Sequence, residues 1–246
     1  MDKMKKSWSL PTIFMAAMLS VGFASCGSDG DDNNAGGIDT SPISLYAGDK
    51  TTITGAKDLE SENEFVAYIS SKDNSIVGYH VGETKVRVNG TKIVPVTVKG
   101  KYNLYDAPIT EWGCNQSFIK SRQKQGTLSS KSNADYLIYE KAGDTNQIVY
   151  MFKNGILDGV VVNISTVYTS EIVSYLGERF FIFPYESDVF NISGIDGLTK
   201  ETANTFVALT VDSSTTILVV YIPSSSSNNS SKAKANMIQK IKKLSL

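Results

Sequence analysis

The chain has very few of the side chains that carry most nucleophilic and metal chemistry: one histidine and two cysteines in 246 residues. A lone histidine leaves no second imidazole for a Cys/His zinc site and removes most histidine-based catalysis. Two cysteines exclude a disulfide framework. Charge of one sign is also missing, because 24 Lys+Arg stand against 25 Asp+Glu. No strongly basic face for nucleic acid is therefore expected. Neither a Gly-x-Ser-x-Gly nucleophile turn, nor a phosphate-binding glycine loop, nor a His-Glu metal motif occurs. Acidic pairs such as Glu186/Asp188 exist, but acid–base work needs a fixed separation across a cleft, which sequence does not supply. What is present is 41% hydrophobic residues with 20% charged, enough for a packed core in one or two domains.

The N-terminal segment has the order of an export signal. Lys3, Lys5 and Lys6 precede an apolar run over residues 10–23, broken only by Pro11, Thr12, Ser20 and Gly22. About 14 residues is the length of a signal-peptide apolar region and is short of the ~20 that span a bilayer. Phe23-Ala24-Ser25-Cys26 follows, with Gly27 and Ser28 behind it. This resembles the bacterial lipobox, with Phe23 where Leu, Val or Ile is usual. The resemblance implies cleavage before Cys26 and diacylglycerol on its sulfur. Two or more acyl chains give a stable membrane anchor where one gives a marginal one. Residues 1–25 are accordingly expected as a lipoprotein signal peptide.

Loss of residues 1–25 removes three lysines and Asp2, leaving 21 basic and 24 acidic residues and a net charge of −3. The remaining cysteine, Cys114, has no partner for an intrachain disulfide once Cys26 is acylated, and is read as a small apolar core residue. Residues 26–37 are polar, acidic and glycine-containing, as a flexible tether should be. The run Asp29, Asp31, Asp32 lacks the glycine and terminal glutamate of a calcium loop. It resembles the acidic stretch behind the cysteine of surface-exported lipoproteins in Bacteroidetes-type bacteria.

Residues 38–100 read as short strands with turn signals every 8–12 residues, the spacing of a β-sandwich. Expected strands are 43–46, 51–54, 65–69, 76–79, 85–88 and 92–98, with Asn89-Gly90 as a hairpin turn. Pro95 places part of the last strand at an edge or bulge. His80, between Gly78 and Gly82, is expected as a satisfied surface or turn residue. A Gly48-Asp49 element behind the first apolar strand, Ser70-Ser71-Lys72-Asp73-Asn74, Ile76-Val77-Gly78, Gly82-Glu83-Thr84-Lys85-Val86 and Pro95-Val96-Thr97-Val98 occur in that order. Together they resemble the bacterial Ig-like repeat of the BIG2 type over about 60 residues. Tyr68 stands near the place of the tryptophan that often precedes the Ser-Ser element. The resemblance implies a spacer or adhesive unit without catalytic groups.

Residues 101–223 read as two helix-plus-meander blocks. The first is a helix over 116–125, capped by Asn115 or Ser117 and ended by Gly126, then strands 136–140, 148–152 and 156–164 with a Lys153-Asn154-Gly155 turn. The second is a helix over 171–179, then strands 180–185, 189–193, 206–211 and 216–222 with an Asp212-Ser213-Ser214 turn. This order predicts an α+β domain with one antiparallel sheet and helices on one face. The Trp112-Gly113 start and Phe152-x-Asn154-Gly155-x-Leu157 faintly resemble helix-plus-hairpin domains of small envelope lipoproteins, some of which bind or inhibit other proteins. Residues 224–246 are a Ser/Asn linker and a basic amphipathic C-terminal helix, with Met237, Ile238, Ile241 and Leu244 on one side and lysines largely on the other. That helix can dock on the sheet, fray as a tail, or lie on an anionic membrane.

The expected whole is therefore multi-domain: an Ig-like all-β sandwich followed by an α+β domain, held at the membrane through lipidated Cys26. The expected function is non-catalytic binding of a glycan or protein at the cell surface, as an outer-membrane lipoprotein without cofactor, metal or nucleic acid. A periplasm-facing assembly or inhibitor-like lipoprotein is the alternative, and a carboxylate-dependent hydrolase the remote one. Ligand-binding residues are not assigned by sequence.

Overall fold

The structure, a computed structural model, describes residues 37–142, 145–183 and 192–224. The chain divides into two compact units, Met1–Gly36 and Gly37–Leu246, and every described residue belongs to the second. The expectations placed on residues 1–25, Cys26, the acidic run, the Glu186/Asp188 pair and the C-terminal helix lie outside the described residues. Within them the fold is β-rich, with two short α-helices.

Residues 38–100 form two small sheets. Strands β1 (Ile43–Tyr46), β7 (Lys92–Lys99), β6 (Gly82–Val88) and β3 (Leu59–Ser61) make one, in that order. Strands β2 (Lys50–Thr51), β5 (Ser75–Gly78) and β4 (Ala67–Ser70) make the other. Alternation in β7 turns Val94, Val96 and Val98 inward, where they meet Val86, Val88 and Leu59 from the first sheet and Ala67 and Ile76 from the second. The expected strand over 51–54 shrinks to Lys50–Thr51, and β3 appears where no strand is expected. Pro95 lies in the half of β7 beyond the reach of β1, whose pairing begins at Ile43↔Val96. That half is an edge on one side, so the missing N–H leaves no ladder bond unmade. The hairpin after β6 uses three residues, since Val88 pairs with Lys92. Asn89 and Gly90 both take positive φ there.

Residues 101–224 build a single eight-stranded sheet, all antiparallel. Its strands are β8 (Thr127–Leu128), β9 (Tyr136–Glu140), β10 (Thr145–Lys153), β11 (Ile156–Ser165), β12 (Phe181–Phe183), β13 (Ile192–Ile195), β14 (Thr205–Ser213) and β15 (Thr216–Pro223). The spatial order is β12-β13-β14-β15-β11-β10-β9-β8. Each block lays down four consecutive strands, and the last strands of the two blocks, β11 and β15, pair at the centre. The blocks correspond under a shift of 59 positions: Tyr150↔Val160 in the first hairpin becomes Leu209↔Val219 in the second. The sheet thus has an approximate two-fold axis normal to its plane.

Two helices cover one face. Helix α1 (Gln116–Arg122) starts where Asn115 accepts from the Phe118 amide at 3.0 Å. It stops at Arg122, short of the expected Gln125, because Gln123 leaves helical backbone and accepts from the Tyr150 hydroxyl at 2.6 Å. Helix α2 (Thr169–Gly177) begins two residues before the expected Glu171, continuing a 3₁₀ turn over Thr166–Tyr168 whose N-cap is Ser165. Ile119 from α1 and Ile172, Tyr175 and Leu176 from α2 join Ile148, Tyr150, Val160, Val162, Val219 and Tyr221 in the first-face core. Complete burial of each large aliphatic or aromatic chain stabilises by about 1.5–3 kcal/mol. Cys114 packs at the margin of this core, half-buried, rather than inside it.

The small sheets and the large one are joined through a short polar seam. The Glu178 carboxylate accepts from the Lys101 amide at 2.9 Å and the Tyr102 amide at 3.1 Å. Its backbone carbonyl accepts from the Val81 amide at 2.7 Å. Arg179 stacks over the Tyr175 ring at 3.7 Å and donates to the Tyr175 carbonyl. A Cβ at Gly100 would stand 2.9 Å from the Arg179 guanidinium and 3.0 Å from the Glu178 carboxylate, so the seam closes directly over this glycine.

Candidate functional site

His80 and Cys114, the side chains with most chemical reach, belong to different cores. His80 corrects a surface expectation: it is 2% exposed, stacked on Phe65 with centroids 4.1 Å apart, and its Nδ1 lies 2.8 Å from the Phe65 carbonyl. Burial lowers its pKa, against the Phe65 and Phe180 carbonyls, which raise it. Cys114 sits by the large sheet, where burial and then Glu111 push its thiol pKa up, away from a reactive thiolate. Among the tyrosines, Tyr105, Tyr150, Tyr175 and Tyr221 are first-face core residues. The exposed Tyr46, Tyr68, Tyr79 and Tyr102 all come from residues 38–102. Among the described residues no three His, Cys, Asp or Glu side chains converge as a metal site.

The polar feature built by several elements at once is an open groove of about 500 Å³ on the second face of the large sheet. Its described lining is Glu140, Lys141, Thr145, Asn146, Gln147, Asn163 and Thr216. Strand register explains the cluster. Glu140 on β9 stands opposite Gln147 on β10, and Gln147 opposite Asn163 on β11. Directly opposed side chains have Cβ atoms about 4.5–5.5 Å apart, so three polar groups form one row across three strands. A bulge between Thr145 and Gln147 inserts Asn146 beside the row, where its Nδ2 donates to Asn163 Oδ1 at 3.2 Å. Beside the row the Thr145 hydroxyl donates to the Ala142 carbonyl at 2.6 Å, and Lys141 takes positive φ.

The row is polar inside a strand set that is otherwise apolar. Asn163 is only 7% exposed, in the centre of the sheet, and Gln147 Oε1 is buried without a donor. An unmet buried acceptor is costly, of the order of 1–3 kcal/mol, so its presence calls for a reason. The second block shows that the fold does not require it. The equivalent row, also directly cross-strand, is Ile195, Phe206 and Ile222, all buried. One half of the sheet fills these positions with apolar side chains, and the other presents a carboxylate and two primary amides. Chemically the groove offers amide donors and acceptors beside one carboxylate and one ammonium of opposite charge, Glu140 and Lys141, which suits neutral hydroxyl-bearing ligands.

Sequence reading did not reach these residues, although each is a polar interruption of an apolar strand: Asn163 breaks Val160-Val161-Val162-Asn163-Ile164, and Gln147 precedes Ile148-Val149. That interruption is the available signal; only the register shows that they meet. No protein-family model, no curated protein and no solved structure matches this chain.

Proposed function

We propose that the protein is a lipid-anchored cell-envelope protein that binds a polar, hydroxyl-rich ligand, a glycan, in the Glu140–Gln147–Asn163 groove without transforming it. The observation that carries this reading is the asymmetry between the two halves of the large sheet: the polar row in one and Ile195, Phe206, Ile222 in the other. Side-chain amides donate and accept at once, as a sugar hydroxyl also does, and Gln147 Oε1 awaits a donor. Lipidation at Cys26 supplies the membrane attachment. Residues 38–100, two small sheets around one valine-rich core, are read as an Ig-like spacer of the BIG2 type. Residues 101–223 are read as the α+β binding domain.

The test is a glycan array probed with residues 26–246 carrying Cys26→Ala, alongside the same protein with Asn163→Ile. Binding by the first and not the second supports the reading; clean negatives across the array for both overturn it. Full-length Cys26→Ala should leave the membrane fraction in cells, and persistence there removes the anchor. Cleavage by protease added to intact cells supports surface display, whereas cleavage only after lysis favours a periplasm-facing protein.

A further inference from the structure

An aromatic column rises from the core of the small sheets to their surface. Phe65 is buried, His80 stacks on it with ring planes 11° apart, and Tyr79 leans on His80 with centroids 4.1 Å apart. Tyr79 is 37% exposed, so the column ends in solvent. Tyr68, 38% exposed, meets it edge-to-face at 5.7 Å. Neither is a loose surface side chain, because Tyr79 rests on the rings beneath it and Tyr68 braces it from the side. Rings held in place before binding lose little conformational entropy when a ligand covers them.

Strand register sets what surrounds the pair. Lys50 on β2 stands opposite Val77 on β5, and Val77 opposite Tyr68 on β4, while the neighbouring Ile76 and Ala67 belong to the core. Tyr68, Val77 and Lys50 thus share the outer face of the three-stranded sheet. The Lys50 ammonium reaches the Asp73 carboxylate at 2.6 Å, and the Ser75 hydroxyl donates to the other carboxylate oxygen at 2.7 Å. One part of this face is aromatic and the other is hydrogen-bonding, with its two charges paired.

We infer that this face is a binding site of its own, for a neutral sugar. One all-equatorial pyranose ring lies in the corner of the perpendicular Tyr68–Tyr79 pair, and its hydroxyls meet Lys50 and Asp73. The negative π-face of a tyrosine attracts the weakly positive C–H face of such a ring. A hydroxyl both donates and accepts, so the ammonium can serve one and the carboxylate another. Size decides against a protein partner. Two rings little more than a third exposed offer on the order of 150 Å² of aromatic surface. A stable protein interface takes about 800 Å² from each partner. The paired charges decide against an ionic ligand, which either Lys50 or Asp73 would repel. The site shares no residue with the Glu140–Gln147–Asn163 groove, whose described lining holds no aromatic ring, and does not depend on it.

Amide shifts in isotope-labelled residues 26–246 carrying Cys26→Ala, titrated with cellohexaose, a chain of all-equatorial rings, test the inference. Amides of Lys50, Tyr68, Val77 and Tyr79 should shift and saturate with a Kd of about 1 mM or tighter. Tyr79→Ala should weaken that Kd about tenfold or more, and Tyr79→Phe, which keeps the ring, should hold it within about twofold. Tyr46→Ala, which removes a more exposed tyrosine from the other small sheet, should leave it unchanged. Because Tyr79→Ala can disturb the column, Tyr68→Ala, outside it, gives a second reading and should weaken binding about threefold or more. An unchanged Kd in both alanine variants, or an equal loss in Tyr46→Ala, overturns the proposal. So does the absence of any shift at about 10 mM sugar. Shifts confined to Gln147 and Asn163 also overturn it, while leaving the groove standing as a glycan site. Shifts at the four amides with decaproline and none with cellohexaose assign the face to a proline-rich segment and overturn it as well.

Discussion

Val161 and Val220 face each other across the central strand pair, and each is the other's counterpart in the two blocks, 59 positions apart. The approximate two-fold axis passes through this pair, so the two halves can be compared position by position. Both halves place a helix on the first face and finish with a hairpin whose second strand goes to the centre. They differ where the second face meets the groove, Glu140, Gln147 and Asn163 standing for Ile195, Phe206 and Ile222. The repeated arrangement thus carries its own control: what the fold needs appears twice, and what appears once is free to serve another purpose.

Asn163→Ile, which copies the counterpart Ile222, separates these roles. The substitution removes a bond from Asn146 Nδ2 but buries an aliphatic side chain already proven at the equivalent position. Unfolding free energy should change by less than about 1.5 kcal/mol in denaturant titrations, because the lost neutral bond and the gained burial offset each other. Ligand affinity should fall about tenfold or more. A large loss of stability with unchanged binding would make Asn163 a structural residue instead.

The seam between the small sheets and the large one rests on Glu178. Its carboxylate side chain is 11% exposed and receives two backbone amides, from Lys101 and Tyr102. Glu178→Ala leaves both donors without this acceptor and should cost about 1–3 kcal/mol. Small-angle scattering should show a broader distribution of shapes, since the segment at residues 100–102 loses its clamp. Glu178→Gln, which keeps one acceptor oxygen, should lie between the two.

His80 makes the small-sheet core sensitive to acid. Its folded pKa lies below the ordinary value of 6.5, chiefly through burial, so the unfolded chain takes up its proton first as pH falls. The neutral histidine is fully accommodated above about pH 6.5, and stability declines below that pH until the folded form is protonated as well. Thermal unfolding followed from pH 7.5 to 5 should show this decline. His80→Phe, which retains the stack on Phe65, should flatten it over the same interval.

Much of the architecture is legible in the sequence, for identifiable reasons. Ile43–Tyr46 and Tyr136–Glu140 read directly as strands because their boundaries coincide with turn residues. Asn154-Gly155 marks a two-residue hairpin because both residues take positive φ. Strands β3 and β8 escape notice because two or three residues carry no period. His80 reads as an exposed turn from its flanking glycines, since nothing local reveals that Phe65, fifteen residues earlier, folds onto its ring. The run Val160-Val161-Val162 reads as buried, and all three valines are buried. The groove stays hidden because it is a product of register: Glu140, Gln147 and Asn163 become neighbours only when three strands are aligned.

Two glycines with nearly equal φ should respond differently to alanine. Gly155, at φ 78°, sits at the β10–β11 turn with nothing within 4 Å of an added Cβ. Gly155→Ala therefore meets only the backbone cost of the left-handed region, about 1 kcal/mol. Gly126, at φ 80°, leads into β8 with the Glu140 carbonyl 2.9 Å and the Ala142 Cβ 3.1 Å from the same added atom. Gly126→Ala adds a collision with backbone that cannot rotate away, and should cost about 2–4 kcal/mol. Relief of that collision moves Glu140 and Ala142, which frame the groove, so Gly126→Ala should also weaken ligand binding while Gly155→Ala leaves it unchanged. Equal losses of stability in the two variants, measured by denaturant titration, would show that Glu140 and Ala142 yield and that the groove is not held by this contact.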